Sequence, residues 1–284
     1  MNYILLLCLG TIWGSSYMFI RVAVAEVPAL TLVAARLILA AAILWITLRA
    51  SGRPIPRGRR LWGAYAVMGI LSGALPYTLI SWGEQYIHSS LAALLQATMP
   101  IFTIMLAMFL ADDEHPTWTA VFGVMIGFAG VVLLMLPDLR EGLHVNLAGQ
   151  LAIVAASVSY AAAAIFARNR LRGEPPLSST MGQMTTGALL TVPLSLIIDR
   201  PFSLSPSSPA ILSWLGLTIL GTVLAYVIYY ALIDRTSATF VSTVTYIIPI
   251  VGLALGALVL DEPVTANLLI SAVLIIAGVL LVRA

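Results

Sequence analysis

The chain has 284 residues, 61% of them hydrophobic and 9% charged, against roughly half and a quarter in an ordinary globular domain, so a soluble fold has nowhere to put this much apolar surface. The formal net charge is +2, lysine is absent, and all 14 cationic side chains are arginines scattered between apolar runs, which argues against a nucleic-acid footprint. The single cysteine, Cys8, excludes an intrachain disulfide and a zinc cluster.

Mean hydropathy is +1.03, and apolar stretches of about 20 residues, the length that crosses a bilayer core, recur along the chain. Ten are expected as membrane helices: Tyr3–Ala25, Leu30–Leu48, Leu61–Trp82, Ser90–Ala111, Thr117–Leu136, Leu147–Ala167, Ser178–Ile198, Ile211–Ile233, Thr239–Leu260 and Val264–Val282. The first could be misread as a cleaved leader because of its Ala23-Val24-Ala25 stretch. No basic residue precedes it and Arg21 interrupts its end, so it is expected to stay as a helix. The connecting loops are too short for a soluble domain.

Arginine placement sets the orientation, because short loops rich in basic residues stay on the cytoplasmic side. Arg49, Arg53, Arg57, Arg59, Arg60, Arg168, Arg170, Arg172, Arg235 and Arg283 fall on one side, and only Arg21, Arg140 and Arg200 on the other. Both termini are therefore expected in the cytoplasm.

The stretch SSLAALLQATMPIFTIMLAMFLADDEHP has a second copy in ATFVSTVTYIIPIVGLALGALVLDEP, and Pro249 follows Pro100 by 149 positions (249 − 100). Tyr77 and Tyr226 share that offset, as do Ser72 and Gly221. Each copy belongs to a unit of five helices, an odd number, so the second unit enters the membrane from the opposite side. The expected fold is an all-α membrane protein of ten transmembrane helices in two inverted repeats, residues 1–137 and 146–284, with a solute route near the axis between them. The pairs Gly69/Gly73, Gly123/Gly127 and Gly252/Gly256 put small residues on one helix face for close packing, static or sliding.

Proline inside a helix deprives the carbonyl four residues earlier of its donor. Here those residues are Gln96, before Pro100, and Thr245, before Pro249, which makes the two prolines candidate hinges facing protein or a wet cavity. Polar and aromatic stripes at helical spacing mark a candidate substrate wall: Trp13 and Tyr17; Tyr77, Ser81 and Glu84; Ser157 and Tyr160; Tyr226, Tyr230 and Asp234; Ser242 and Tyr246. Tyr3, Trp45, Trp62 and Trp214 sit where interface anchors sit. Arg36 lies about 9 Å into its helix at 1.5 Å per residue, deep enough to mark a site. It could hold a solute carboxylate or tie its helix to another; its place near the outer end, and Gln183 at the corresponding position, favour the tie.

No carboxylate or histidine falls at mid-helix, so facilitated diffusion is the better expectation, with Glu84 and Asp234 the candidate coupling groups. Enzyme signatures are missing: there is no HExxH, Walker A loop or GxSxG, and His88, His115 and His144 show no ligand spacing, so no metal, cofactor or catalytic residue is expected.

The segments GTIWGSSYMFIRVA and AARLILAA, and the duplicated Pro100, Glu114, Gly130 and Pro249, Glu262, Gly278 pattern, resemble the two EamA-type repeats of the drug/metabolite transporter superfamily over nearly the whole chain. Among its members the chain is most similar to the ten-helix bacterial amino-acid and metabolite exporters. The first copy departs from the pattern with Asp112 and Asp113 ahead of Glu114. The resemblance implies a bacterial inner-membrane exporter of amino acids, aromatic ones among them, or similar metabolites, working by alternating access as a monomer or weak homodimer. Drug, sugar and nucleotide-sugar carriers, and a non-transporting receptor or assembly subunit, are the alternatives.

Single cysteines placed at residues 2 and 284 of a Cys8→Ala chain should both resist a membrane-impermeant maleimide in intact cells; labelling of one terminus alone would refute an even number of crossings.

Overall fold

The computed structural model describes residues 1–110, 117–141, 145–236, 240–241 and 243–283. With no water in the hydrocarbon to take unpaired backbone groups, a chain of this composition satisfies them locally as helix, and no strand occurs among the described residues. In chain order the helices are α1 (Asn2–Val24), α2 (Ala29–Ala50), α3 (Arg59–Gly83), α4 in two pieces (Ser89–Gln96 and Met99–Leu110), α5 (Trp118–Glu141), α6 (Val145–Arg170) and α7 (Pro176–Ile198). They continue as α8 (Ser208–Thr218, Ile219–Leu224 and Ala225–Arg235 end to end), α9 (Val244–Val259) and α10 (Ala266–Arg283). Eight contain windows long and apolar enough to cross a bilayer; α9 and α10 are the shorter apolar helices of the ten. Prolines start several of them where the missing N–H costs nothing, as at Pro28, Pro176 and Pro209.

Helix pairing reproduces the duplication. α2 packs on α7 and α5 on α10, so each of these helices meets its own counterpart. The contacts of α1 with α8 and α9 are matched by those of α6 with α3 and α4. Exchanging each helix for the one five later therefore maps these pairs onto one another.

Glycine makes the closest of these approaches. A methyl group on Gly278 would overlap the backbone of Gly127, one on Gly69 the backbone at Gln183 and Gly187, and one on Gly252 the side chain of Ala93. Gly256 leaves room for the carboxylate of Glu262. Gly73 is the exception among the expected pairs, with only Leu37 nearby at 3.8 Å.

Three local features depart from the sequence expectation. α4 is not one helix bent at Pro100 but is interrupted after Gln96, with Pro100 second in its next piece, where a proline is tolerated. Its counterpart runs unbroken through Pro249 from Val244. α5 continues through Pro137 instead of ending at Leu136, so Arg140 falls in its last turn. Finally, α3 and α8 each contain a π-helical stretch, Ile70–Ala74 and Ile219–Leu224, which begin at residues separated by the same offset as the two prolines.

Gly278→Ala should lower the melting temperature of the detergent-purified protein, by about 1–3 kcal/mol of overpacking. Gly63→Ala, where an added methyl meets nothing within 4 Å, should be neutral or stabilising; equal effects of the two would refute tight α5–α10 contact.

Candidate functional site

A π turn widens the helix and leaves carbonyls without their usual donors, a feature frequent at functional sites. Each π stretch buries one side, at Ser72, Gly73 and Ala74 and at Gly221 and Thr222, and side chains from elsewhere reach it there. Ser159 of α6 donates its hydroxyl to the Leu71 carbonyl at 2.7 Å. Ser72 donates to the Gln183 side-chain oxygen at 3.0 Å, and the Gln183 amide reaches the Tyr226 hydroxyl at 3.5 Å. In the other half, Arg36 Nε donates to Thr222 Oγ1 at 2.9 Å while its guanidinium lies 3.9 Å from the centre of the Tyr77 ring. The two arrangements correspond: a polar residue of α2 or α7 touches the tyrosine of its own half and the π turn of the opposite half.

Arg36 is 6% exposed. Burying a charge is costly unless it is paired, yet no carboxylate pairs with it and its two terminal nitrogens have no hydrogen-bond partner among the described residues. The face of Tyr77 offers partial compensation. Tyr17, Tyr77, Tyr160 and Tyr226 gather around it: Tyr77 and Tyr160 have ring centres 6.5 Å apart, and Tyr17 and Tyr160 are within electrostatic reach of the guanidinium. Trp13 extends the group, meeting Tyr226 edge-on at 6.3 Å and Tyr229 at 5.7 Å. Tyr160 packs against two of the apolar cores and so joins them.

Six of the sequence candidates, Trp13, Tyr17, Arg36, Tyr77, Tyr160 and Tyr226, thus form one cluster. Ser81 is buried one turn beyond Tyr77, and Gln96 sits at the interruption of α4 with its side-chain oxygen buried and unpartnered among the described residues. Tyr246 lies half-buried in the first turn of α9. Pro249 lies with Ser90 and Leu94 around a small cavity of about 40 Å³. The side chains of Tyr230 and Asp234, and residues Asp112, Asp113, Glu114 and Ser242, lie outside the described part of the structure. Thr222 and Tyr229 were not singled out from the sequence. Thr222 had a signal there, since it follows Gly221, the counterpart of Ser72.

A second polar group closes the end of the bundle where α3 stops. α9 ends with Asp261 in a left-handed conformation, φ 53°, and the Gly256 carbonyl accepts both the Leu260 and the Glu262 N–H. That turn sends the Glu262 carboxylate onto the N-terminus of α4, where it accepts from the Ser89 N–H at 2.7 Å and the Ser90 N–H at 2.9 Å. Burial pushes the Glu262 carboxyl upward, but these hydrogen bonds outweigh it and hold it below the ordinary value. His88 Nδ1 lies 3.8 Å from the same carboxylate.

Glu84, just past the end of α3, is fully buried and neither of its carboxylate oxygens has a hydrogen-bond partner among the described residues. Arg21 turns to the Glu84 backbone carbonyl instead. Burial, reinforced by Glu262 and opposed by Arg21, raises the Glu84 carboxyl well above its ordinary value. A carboxyl whose charged form is disfavoured by burial is therefore enclosed within electrostatic reach of Tyr17, at the helix end where the sequence places the candidate coupling group Glu84.

The family profile described as the EamA-like transporter family matches residues 1–136 and 147–284. The chain is 28% identical over 287 residues to a protein of Escherichia coli (strain K12) named "Probable amino-acid metabolite efflux pump", covering 97% of this chain and 92% of that one. It is 22% identical over 268 residues to the "Uncharacterized transporter YoaV" of Bacillus subtilis (strain 168), covering 94% and 91%. A solved structure titled only as the crystal structure of a protein superposes with a TM-score of 0.69 at 19% identity, covering 99% of this chain and 95% of that one, and so shares the fold.

Because the folded chain holds the Glu84 proton more tightly than the unfolded chain, the cost of folding rises as pH climbs above the ordinary carboxyl value of 4.5. Glu84→Gln removes that cost. The variant should gain stability over the natural chain as pH rises from about 5 to 8 and lose the advantage near pH 4, read as melting temperature against pH. A pH-independent difference would mean that Glu84 is ionised in the fold.

Proposed function

Since the chain belongs to the EamA-like transporter family, we propose that it exports amino acids, aromatic ones among them, or similar carboxylate-bearing metabolites across a bacterial inner membrane. Translocation is by alternating access between the halves 1–137 and 146–284. The observation that carries this reading is Arg36: a buried guanidinium, fixed through Nε to Thr222 and against Tyr77, with its terminal nitrogens unused. A carboxylate accepts two parallel N–H bonds from such a group, and the fork geometry makes the pairing selective. Tyr17, Tyr160, Tyr226 and Trp13 then offer ring faces and edges to the rest of the solute.

The same residues explain how binding would be linked to movement. Arg36 and Gln183 each join one half to the π turn of the other. A solute drawing the guanidinium from Thr222 alters a contact between halves, which gives it different interaction energies in the two conformations, as a ligand-driven switch requires. Pro100 and Pro249 lie in α4 and α9, and the interruption of α4 just before Pro100 would absorb the motion.

Protein reconstituted in liposomes should show uptake and counterflow of radiolabelled amino acids. Arg36→Gln should raise the half-saturation concentration about 10- to 100-fold, the worth of a charge-assisted hydrogen bond. It should have little effect on amino-acid amides, which lack the carboxylate. Absence of flux for every amino acid tried would remove the substrate class, and an equal loss for acids and amides would remove Arg36 from carboxylate binding.

A further inference from the structure

The arginine-rich end of the bundle holds an open cleft. A cleft of about 520 Å³ lies between the start of α3 and the end of α6, lined by Arg57 and Arg60 on one side and Arg170 on the other. None of the three arginines has an ion-pair or hydrogen-bond partner among the described residues. Glu174 also borders the cleft but pairs with none of them. The N-terminus of α3 opens into it without a side-chain cap, adding unpaired N–H groups to the positive field.

The walls change character with depth. Below the arginines, Leu61, Ala64 and Val67 follow one another along one face of α3, with Phe166 opposite, one turn inside Arg170. At 1.5 Å per residue, Val67 stands about 10 Å deeper than Arg60. A site for a small soluble anion has no use for such a floor. A lipid does: its phosphate would sit among the guanidiniums at the interface and an acyl chain would descend along the apolar seam, the arrangement by which basic pockets between membrane helices hold anionic head groups.

We infer that this cleft is a binding site for one anionic phospholipid, its phosphodiester held by Arg57, Arg60 and Arg170 and its chain laid between α3 and α6. The seam joins a helix of the first half to a helix of the second, so the bound lipid bridges the halves at the end opposite Glu84 and Glu262. The inference concerns the helix ends and stands apart from the solute reading above.

The test is native mass spectrometry of the full-length protein in detergent with added phosphatidylglycerol, phosphatidylcholine or inorganic phosphate. Phosphatidylglycerol should remain bound where phosphatidylcholine does not, and millimolar inorganic phosphate should not displace it. Replacing all three arginines (Arg57→Gln, Arg60→Gln, Arg170→Gln) should weaken phosphatidylglycerol by about a hundredfold, taking roughly a fivefold share for each charge. Arg172→Gln, a nearby charge outside the cleft, should leave it unchanged, and circular dichroism would confirm that both variants keep their helices. Retention of phosphatidylcholine as strong as that of phosphatidylglycerol, or an Arg172→Gln loss matching the cleft variant's per charge, would overturn the assignment. Full displacement by inorganic phosphate would overturn it in favour of a soluble anion.

Discussion

In a medium that offers no hydrogen bonds, each polar group inside the bundle must find its partner in the protein, and this constraint falls hardest on the π turns of α3 and α8. Their irregular backbone survives because Ser159 takes the Leu71 carbonyl, and because Gln183 and Arg36 reach Ser72 and Thr222 from the opposite halves. The two halves are thereby joined at mid-bundle by polar contacts within otherwise apolar surfaces. A polar contact can be exchanged for a similar one with a solute, whereas the interlocked glycine contacts of α5 and α10 can only be kept or lost. The proposed route for a solute and the joint between halves fall on the same residues for that reason.

Beyond this centre the ends of the molecule differ. At one end Glu262 fixes the start of α4 through two backbone N–H groups, Arg21 binds the carbonyl of Glu84, and the Glu84 carboxyl is buried. At the other, Arg57, Arg60 and Arg170 stand without a partner among the described residues around an open cleft. One end is closed by hydrogen bonds within the protein and the other presents positive charge outward. The absence of a titrating group at mid-helix, which favoured simple facilitation, takes on a different weight once Glu84 is seen enclosed: sequence position put it in a loop, and packing put it in the interior.

What could be read from the sequence was set by period, composition and duplication. Ten apolar runs, the twin prolines and the shared offset of Tyr77 and Tyr226 were enough for a ten-helix membrane fold, because apolar length alone commits a segment to cross the bilayer. The polar and aromatic stripes named Trp13, Tyr17, Arg36, Tyr77, Tyr160 and Tyr226, since such residues inside apolar spans cost energy and so stand out. Thr222 and Tyr229 did not stand out: Thr222 was marked only by following Gly221, the counterpart of Ser72, and one tyrosine of a pair carries no spacing signal.

The sequence by itself determined which segments are helices and that the chain repeats itself, because these follow from local hydrophobicity and from likeness between stretches. Only the tertiary structure decided that α4 is interrupted before Pro100, that two helices carry π turns, that Arg36 meets Thr222, and that Glu84 is buried. The Arg36 contact depends on which polar group a distant helix brings within hydrogen-bond reach, and the burial of Glu84 on which helices close over it; contacts between residues far apart in the chain leave no periodic trace in it.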